Sequence, residues 1–360
     1  MFALLLVLLL PAAARAETLD GTIDSLDLSA WQSVLEESGA ELDAMETVRA
    51  IASGEMTLEP ETLLQLLRQL FLGGADGFSR QLTAFLGPAL LWAVAQSLPG
   101  QERIGGAAGY VCFLAGALVM LGALENCMEL ARTTVRRLGA LTGQVFPVLS
   151  ALMSAAGRPG TADALQPMAM FLGGGMSALV ERILTALGGG AAVLAVAGNL
   201  TERMRLDGLF RLFVSAGGWL LGAVMTVFLG MTSLGGILGA AKDGATIRAA
   251  KYAVDNLLPV VGGDVADAMD AMAASAGLVK SAAGVTGVIV MLSVCLRPVV
   301  SIALTMLALR LTAALTEPAA DGPLKKCMDQ LGQAMGLMLA AVAVSASLFI
   351  ALTGACLRVG

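Results

Sequence analysis

The chain has 360 residues, 57% of them hydrophobic and only 14% charged, where a soluble domain of that size carries roughly 25% charged residues. It contains no histidine, which excludes Ser-His-Asp and Cys-His nucleophile activation, imidazole metal sites and histidine proton relays. The formal net charge of −6 is unevenly spread, and no clustered basic face of the kind nucleic acid requires is present.

A mean hydropathy of +0.81 points to lipid as the main solvent. The expected fold class is all-α: a polytopic integral membrane helical bundle with an N-terminal signal peptide and short amphipathic helices. Glycine is abundant, at 43 residues, as suits helices that approach closely in lipid, where no hydrophobic drive acts between them. The five cysteines (Cys112, Cys127, Cys295, Cys327 and Cys356) are scattered and form no C-x-x-C pair. They read as buried, inert thiols rather than a disulfide framework or a zinc site.

Met1–Ala16 joins an apolar run to Pro11 and to Ala14-Arg15-Ala16, the pattern of a signal peptide with an A-x-A cleavage site. The run is too short to span a bilayer, which needs about 20 apolar residues. Residues 17–77 carry 13 acidic and 2 basic side chains and are expected to form an acidic extracytoplasmic helical segment. Within it Leu28, Trp31, Val34 and Leu35 share one helical face, as do Leu42, Met45, Val48 and Ala52. A third helix starts at Pro60, a good first-turn residue, and ends at Gly73-Gly74. These faces either pack on the membrane part or dock a partner.

Residues 78–360 form the multi-span membrane domain. Apolar runs lie near 82–98, 104–124, 138–157, 167–180, 183–198, 212–236, 282–296, 299–316 and 334–357, which predicts six to nine spans. The runs 167–180 and 183–198, parted only by Glu181-Arg182, read as two short helices or a broken pair, the latter tolerated where protein surrounds the break. With the N-terminus outside and all nine runs crossing, Arg132, Arg136 and Arg137 fall on the outer side, against the positive-inside bias. Either one run does not cross or packing overrides the bias. Arg297-Pro298 reads as a tight turn between spans. Arg310 is expected to snorkel to the interface, since a charge at mid-bilayer costs at least about 2.5 kcal/mol.

The triplets Gly173–Gly175 and Gly188–Gly190 read as close helix contacts or local unwinding, with a transport site on broken helix ends as the alternative. Residues 242–281 form the longest polar interruption. Arg248, Lys251, Tyr252 and Asp255 recur at helical spacing, Pro259 and Gly262-Gly263 stop that helix, and a second begins near Asp264, whose charge suits a helix N-terminus. Gly262-Gly263-Asp264 lacks the G-x-G-D context and the second aspartate that intramembrane aspartyl proteolysis needs. No G-x-x-x-x-G-K-[ST] loop occurs. No catalytic residue, cofactor or metal is therefore expected.

The stretch Ile247-Arg-Ala-Ala-Lys-Tyr-Ala-Val-Asp-Asn-Leu-Leu-Pro-Val-Val-Gly-Gly263 resembles the signature of the stage III sporulation protein AE family. Asp-Ala-Met-Asp at 267–270, the Val285–Pro298 stretch, Tyr110-Val-Cys and Pro147 extend the likeness along the chain. The positions that carry it are Arg248, Lys251, Tyr252, Asn256, Pro259, Gly262 and Gly263. The resemblance implies a mother-cell membrane subunit of a channel-like complex linking mother cell and forespore, needed for late forespore gene expression. Its partners would be the other membrane subunits of that complex and the lipid bilayer. The competing reading is a permease whose own bundle carries a small solute.

One expectation is testable on the purified protein alone. Mass spectrometry of the mature chain should show an N-terminus at Glu17; an intact Met1 would refute cleavage.

Overall fold

The computed structural model describes Gln32 and residues 43–53, 77–94, 102–200, 206–257, 262–316 and 322–358. Side chains are described over most of these, but not at 44, 51–53, 102–108, 246–257, 262–273, 275 or 358. The signal peptide, the 28–35 face and the helix from Pro60 fall outside them. Seven helices organise the described residues: α1 (Ala44–Ser53), α2 (residues 77–94), α3 (Glu102–Ala155), α4 (Pro159–Leu200), α5 (Asp207–Leu257), α6 (Gly262–Thr316) and α7 (Pro323–Arg358). No strand occurs among the described residues.

Five of these helices are long and apolar enough to cross a membrane, within Gly109–Ala155, Pro159–Leu200, Asp207–Ala245, Ala276–Thr316 and Pro323–Leu357. The expected six to nine spans are not confirmed among the described residues. The runs 104–124 and 138–157 lie in one helix, as do 167–180 with 183–198 and 282–296 with 299–316. A continuous helix cannot reverse direction, so each fused pair makes one passage at most. The run 82–98 falls largely in α2, which is not among the five. Arg297-Pro298 is likewise no turn, because Pro298 sits inside α6. Arg132, Arg136 and Arg137 stand halfway along α3 rather than in a loop.

The rods are long. The 54 residues of α3 span about 81 Å at 1.5 Å per residue, against a hydrocarbon core of about 30 Å. From α3 to α7 successive rods run antiparallel through short connections, leaving α5 and α7 parallel. Here α7 is the hub, packing against α3, α5, α6 and the C-terminal part of α4. Its face of Leu331, Ala334, Met335, Met338, Ala341, Val342 and Phe349 is wholly or almost wholly buried, at spacings of three, four and seven that make one helical stripe.

At the other extreme lies α5, whose apolar window is only 17% buried. Its outward residues include Leu212, Trp219, Val227, Leu234, Ile237 and Leu238. The short helix α1 is capped by Asp43, whose Oδ1 accepts hydrogen bonds from the Met45 and Glu46 amides at 2.8 and 3.0 Å, an N-cap arrangement. Val48 is fully buried and Met45 packs on the same core, with α1 seated against α6. That part of the acidic segment therefore packs on the bundle.

The glycine triplets do not break α4. Gly173–Gly175 lie in a π-helical turn, Phe171–Gly175, and Gly188 closes a second, Leu184–Gly188. Such turns widen the helix and shift the register of the residues C-terminal to them. The first half of α4 thus addresses α5, while the last part, Gly189–Leu200, addresses both α7 and α5. Glu181 and Arg182 ride within the continuous helix between the two π turns. Four cysteines are buried, Cys112 is partly buried, and all five are free thiols, as expected.

Close approach occurs where glycine permits it. A Cβ on Gly139 would stand 2.6 Å from the Gly173 carbonyl oxygen, and one on Gly239 would stand 2.5 Å from the Thr161 Cα. Gly239→Ala should therefore lower stability by about 1–3 kcal/mol, the usual cost of overpacking a tight site. Gly230→Ala, which has open space at its Cβ, should not destabilise and should gain up to about 1 kcal/mol, because alanine is the better helix former. Denaturant titration in detergent micelles reads both; equal midpoints for the two variants would contradict the packing described.

Candidate functional site

Polar chemistry in this bundle concentrates at three levels. The first is the end where α3 meets α4 and where α5 runs on toward the 247–263 stretch. Asp243 on α5 is 4% exposed. Its Oδ1 accepts from the Gly160 amide at 2.6 Å, and its Oδ2 accepts from the Thr161 amide at 3.0 Å and from the Thr161 hydroxyl. Helix N-termini leave unpaired amides, and Arg158, preceding α4, makes no side-chain cap bond of its own. A carboxylate from a neighbouring rod supplies the cap, and the positive end of the α4 dipole favours that charge.

The contact requires two small residues. A Cβ on Gly160 would lie 2.7 Å from the Asp243 carboxylate, and Gly235, Gly239 and Asp243 recur every four residues along the face of α5 that meets Ala164, Thr161 and Gly160. Small residues at that spacing let helix backbones approach. The same end buries Lys280, 3% exposed on α6, with Arg158 and Cys356 in electrostatic reach.

The second level is the waist. Arg136 Nε donates to Glu181 Oε2 at 3.1 Å and its Nη2 donates to Glu181 Oε1, forming a two-pronged pair between α3 and α4. One turn away Arg132 Nη2 donates to the Thr185 hydroxyl at 2.7 Å, and Glu129 stands 3.7 Å from Arg132 Nη1. The charges that sequence places between apolar runs thus tie two rods together.

The third level joins the opposite ends of α4, α5 and α7. Lys326 Nζ lies 2.5 Å from Asp207 Oδ2, Gln330 Nε2 donates to Asp207 Oδ1 at 3.0 Å, and Asn199 Nδ2 donates to Gln330 Oε1 at 2.6 Å. Arg310 is exposed on α6. Asp243, Asn199 and Gln330 were not singled out from sequence. Their only signal is polarity beside glycine or at a rod end, and their partners are 83 and 131 residues away along the chain.

The signature positions divide between two rods. Arg248, Lys251, Tyr252 and Asn256 fall on the backbone of the last turns of α5, and Gly262 and Gly263 open α6. Their side-chain surroundings, and Pro259 altogether, lie outside the described residues. Helix α5 therefore carries both the Asp243 cap and, five residues on, the start of the signature. No group of three Cys, Asp or Glu residues able to hold a metal occurs among the described residues.

The sequence profile of the stage III sporulation protein AE family matches residues 42–360. The chain belongs to that family. It is also similar to the stage III sporulation protein AE of Bacillus subtilis (strain 168), at 23% identity over 329 residues, covering 90% of this chain and 82% of the relative. No solved structure matches. The family match takes in all of α1 to α7, including the capped α4–α5 junction and the signature beyond it.

Removing the Asp243 carboxylate strands three donors at a buried helix end. Asp243→Ala should cost about 1–3 kcal/mol or more, since the lost partner is charged, and Asp243→Asn should fall between it and the parent. The order of unfolding midpoints in micelles checks this, and an Asp243→Ala variant as stable as the parent would remove the cap from the account.

Proposed function

We propose that this protein is a non-enzymatic, multi-pass subunit of a channel-like sporulation complex that links mother cell and forespore and is needed for late forespore gene expression. It would reside in the mother-cell membrane around the forespore. The carrying observation is the family match over residues 42–360, supported by five rods long and apolar enough to cross a membrane. Its expected partners are the other membrane subunits of that complex. The 242–281 segment, which carries the signature residues, is the assembly element in this reading, a structured hinge or docking element that takes in the end of α5 and the start of α6. The Asp243 cap on α4 fixes the rod that leads into it.

A second reading has its own observation. A cavity of about 660 Å³ opens between α3 and α4, lined by Thr142, Ser150, Ser154, Asp163 and Gln166 among others, and a permease would place a small solute there. Reconstitution of the lone chain in liposomes separates the two. The subunit reading expects no saturable flux; flux that disappears in Glu181→Gln would favour the permease.

Crosslinking and affinity recovery from sporulating cells test the assembly role. Gly262→Val with Gly263→Val should leave membrane insertion intact, reduce recovery of partner subunits and impair sporulation. Normal spore yield together with normal partner recovery would refute it.

A further inference from the structure

Charge marks the same two heights on three neighbouring rods. No charged residue occurs at 138–157 of α3, at 164–180 of α4 or at 212–241 of α5. Phe213 lies beside Gly190, Gly235 beside Ala164 and Lys242 beside Gly160, while Gly139 meets Gly173. Antiparallel packing therefore puts Arg136 and Glu181 level with Trp219, which is 73% exposed. It also puts Arg158 and Asp163 near the height of Lys242. Residues 220–241 between those heights cover about 33 Å, one hydrocarbon core, and an exposed tryptophan suits its edge. The opposite end of the bundle is unsuited to that core. Asp207 pairs there with Lys326, and Arg211, Arg310, Lys326 and Asp329 are exposed.

Within this slab α3 and α4 leave a furrow of about 660 Å³. Its half next to the waist is apolar, lined by Gly139, Ala140, Gly143, Phe146, Pro147 and Met170. Thr142 adds a hydroxyl, but that donates to the Leu138 carbonyl at 2.9 Å. Polar lining begins at Ser150 and continues to Asp163, and Ala140 to Ser150 is about 15 Å of helix. That is the depth of one leaflet, half of a core of about 30 Å.

The mouth of the apolar half is positively charged. Arg136 stands one turn before Ala140, and the exposed row runs on through Gly143 and Pro147. On α4 the exposed row Met170, Gly174, Ala178 ends at Arg182, and Arg137 is exposed beside Arg136. Around this mouth Arg132, Arg136, Arg137 and Arg182 outnumber Glu129 and Glu181. Glu181 takes two donors of Arg136, whereas a guanidinium carries five. Arginine matches phosphate in geometry as well as charge.

We infer that the furrow seats an anionic phospholipid, its phosphate on Arg136, Arg137 and Arg182 and one acyl chain along Ala140, Gly143, Pro147 and Met170. A phospholipid matches both halves of the site, because the positive mouth sits at headgroup height and the apolar lining runs one leaflet deep below it. The inference does not depend on the subunit reading above.

Native mass spectrometry of the full chain, offered phosphatidylglycerol and phosphatidylcholine in equal amounts, reads the retained lipid. The parent should retain phosphatidylglycerol preferentially. Arg137→Gln and Arg182→Gln should each weaken that retention about fivefold, the usual share of one basic residue near an anionic lipid surface. Arg310→Gln, exposed at the other end of the bundle, should leave it unchanged. Gly143→Leu has open space at its Cβ and should obstruct the acyl chain, weakening retention with every arginine in place. Equal retention of the two lipids, undiminished retention in these furrow variants or an equal loss in Arg310→Gln would overturn the inference. So would displacement of the lipid by inorganic phosphate, the mark of a site for soluble anions. In native membranes, a benzophenone amino acid in place of Ala140 should crosslink to phospholipid. Crosslinks to protein alone would mean that a partner covers the furrow, and would refute the lipid.

Discussion

Helices surrounded by lipid gain nothing from hiding apolar surface against one another, so their association depends on how closely the backbones come together. That constraint explains where glycine sits in this bundle. Gly139 meets Gly173 where α3 crosses α4, Gly239 meets Thr161 where α4 crosses α5, and Gly217 and Gly284 admit the side chains of Leu337 and Leu357 on α7. Each crossing brings main chains near enough for dispersion and polar bonds to act. The Asp243 cap is the sharpest case, since a carboxylate reaches the first amides of α4 only because position 160 has no side chain.

Polar residues inside the rods follow from the same closeness. Asn199, Gln330 and Asp207 form a chain of bonds that joins three rod ends, and Arg136 with Glu181 joins two rods at their waists. Buried or half-buried groups of this kind are costly unless partnered. Their partners come from other helices, so each pair also fixes the sliding register of one rod against the next. An apolar stripe alone, which looks similar after a shift of one turn, specifies that register poorly.

The sequence told its helical and membrane character plainly, through its hydropathy, its few charged residues and its abundant glycine. It also indicated the burial of the cysteines, the packing face around Val48 and the local distortion at the glycine triplets. That neighbouring apolar runs join into single helices was illegible for a physical reason. Charged or proline-containing intervals such as Glu181-Arg182 and Arg297-Pro298 look like loops when only hydropathy along the chain is read. A helix continues through them when a neighbour answers the charge, as Arg136 does for Glu181, or when the rod simply carries the proline. The Asp243 contact was illegible because it joins residues 83 apart, and nothing local marks its partner. The family signature was legible as a pattern of residues, although the part proposed for it lies in assembly rather than in chemistry.

The central place of α7 bears on how the bundle is built at the ribosome. The helix that touches α3, α4, α5 and α6 is the last of the described rods to be synthesised. Until it enters the membrane, the faces destined to meet it rest against lipid or against transient neighbours. The earlier rods can pair through their short connections, but the centre of the bundle closes only when Pro323–Arg358 arrives. Completion of this protein is therefore a late, nearly all-or-none event, and a nascent chain halted before α7 would offer quality-control proteases a set of loosely held helices rather than a smaller finished bundle.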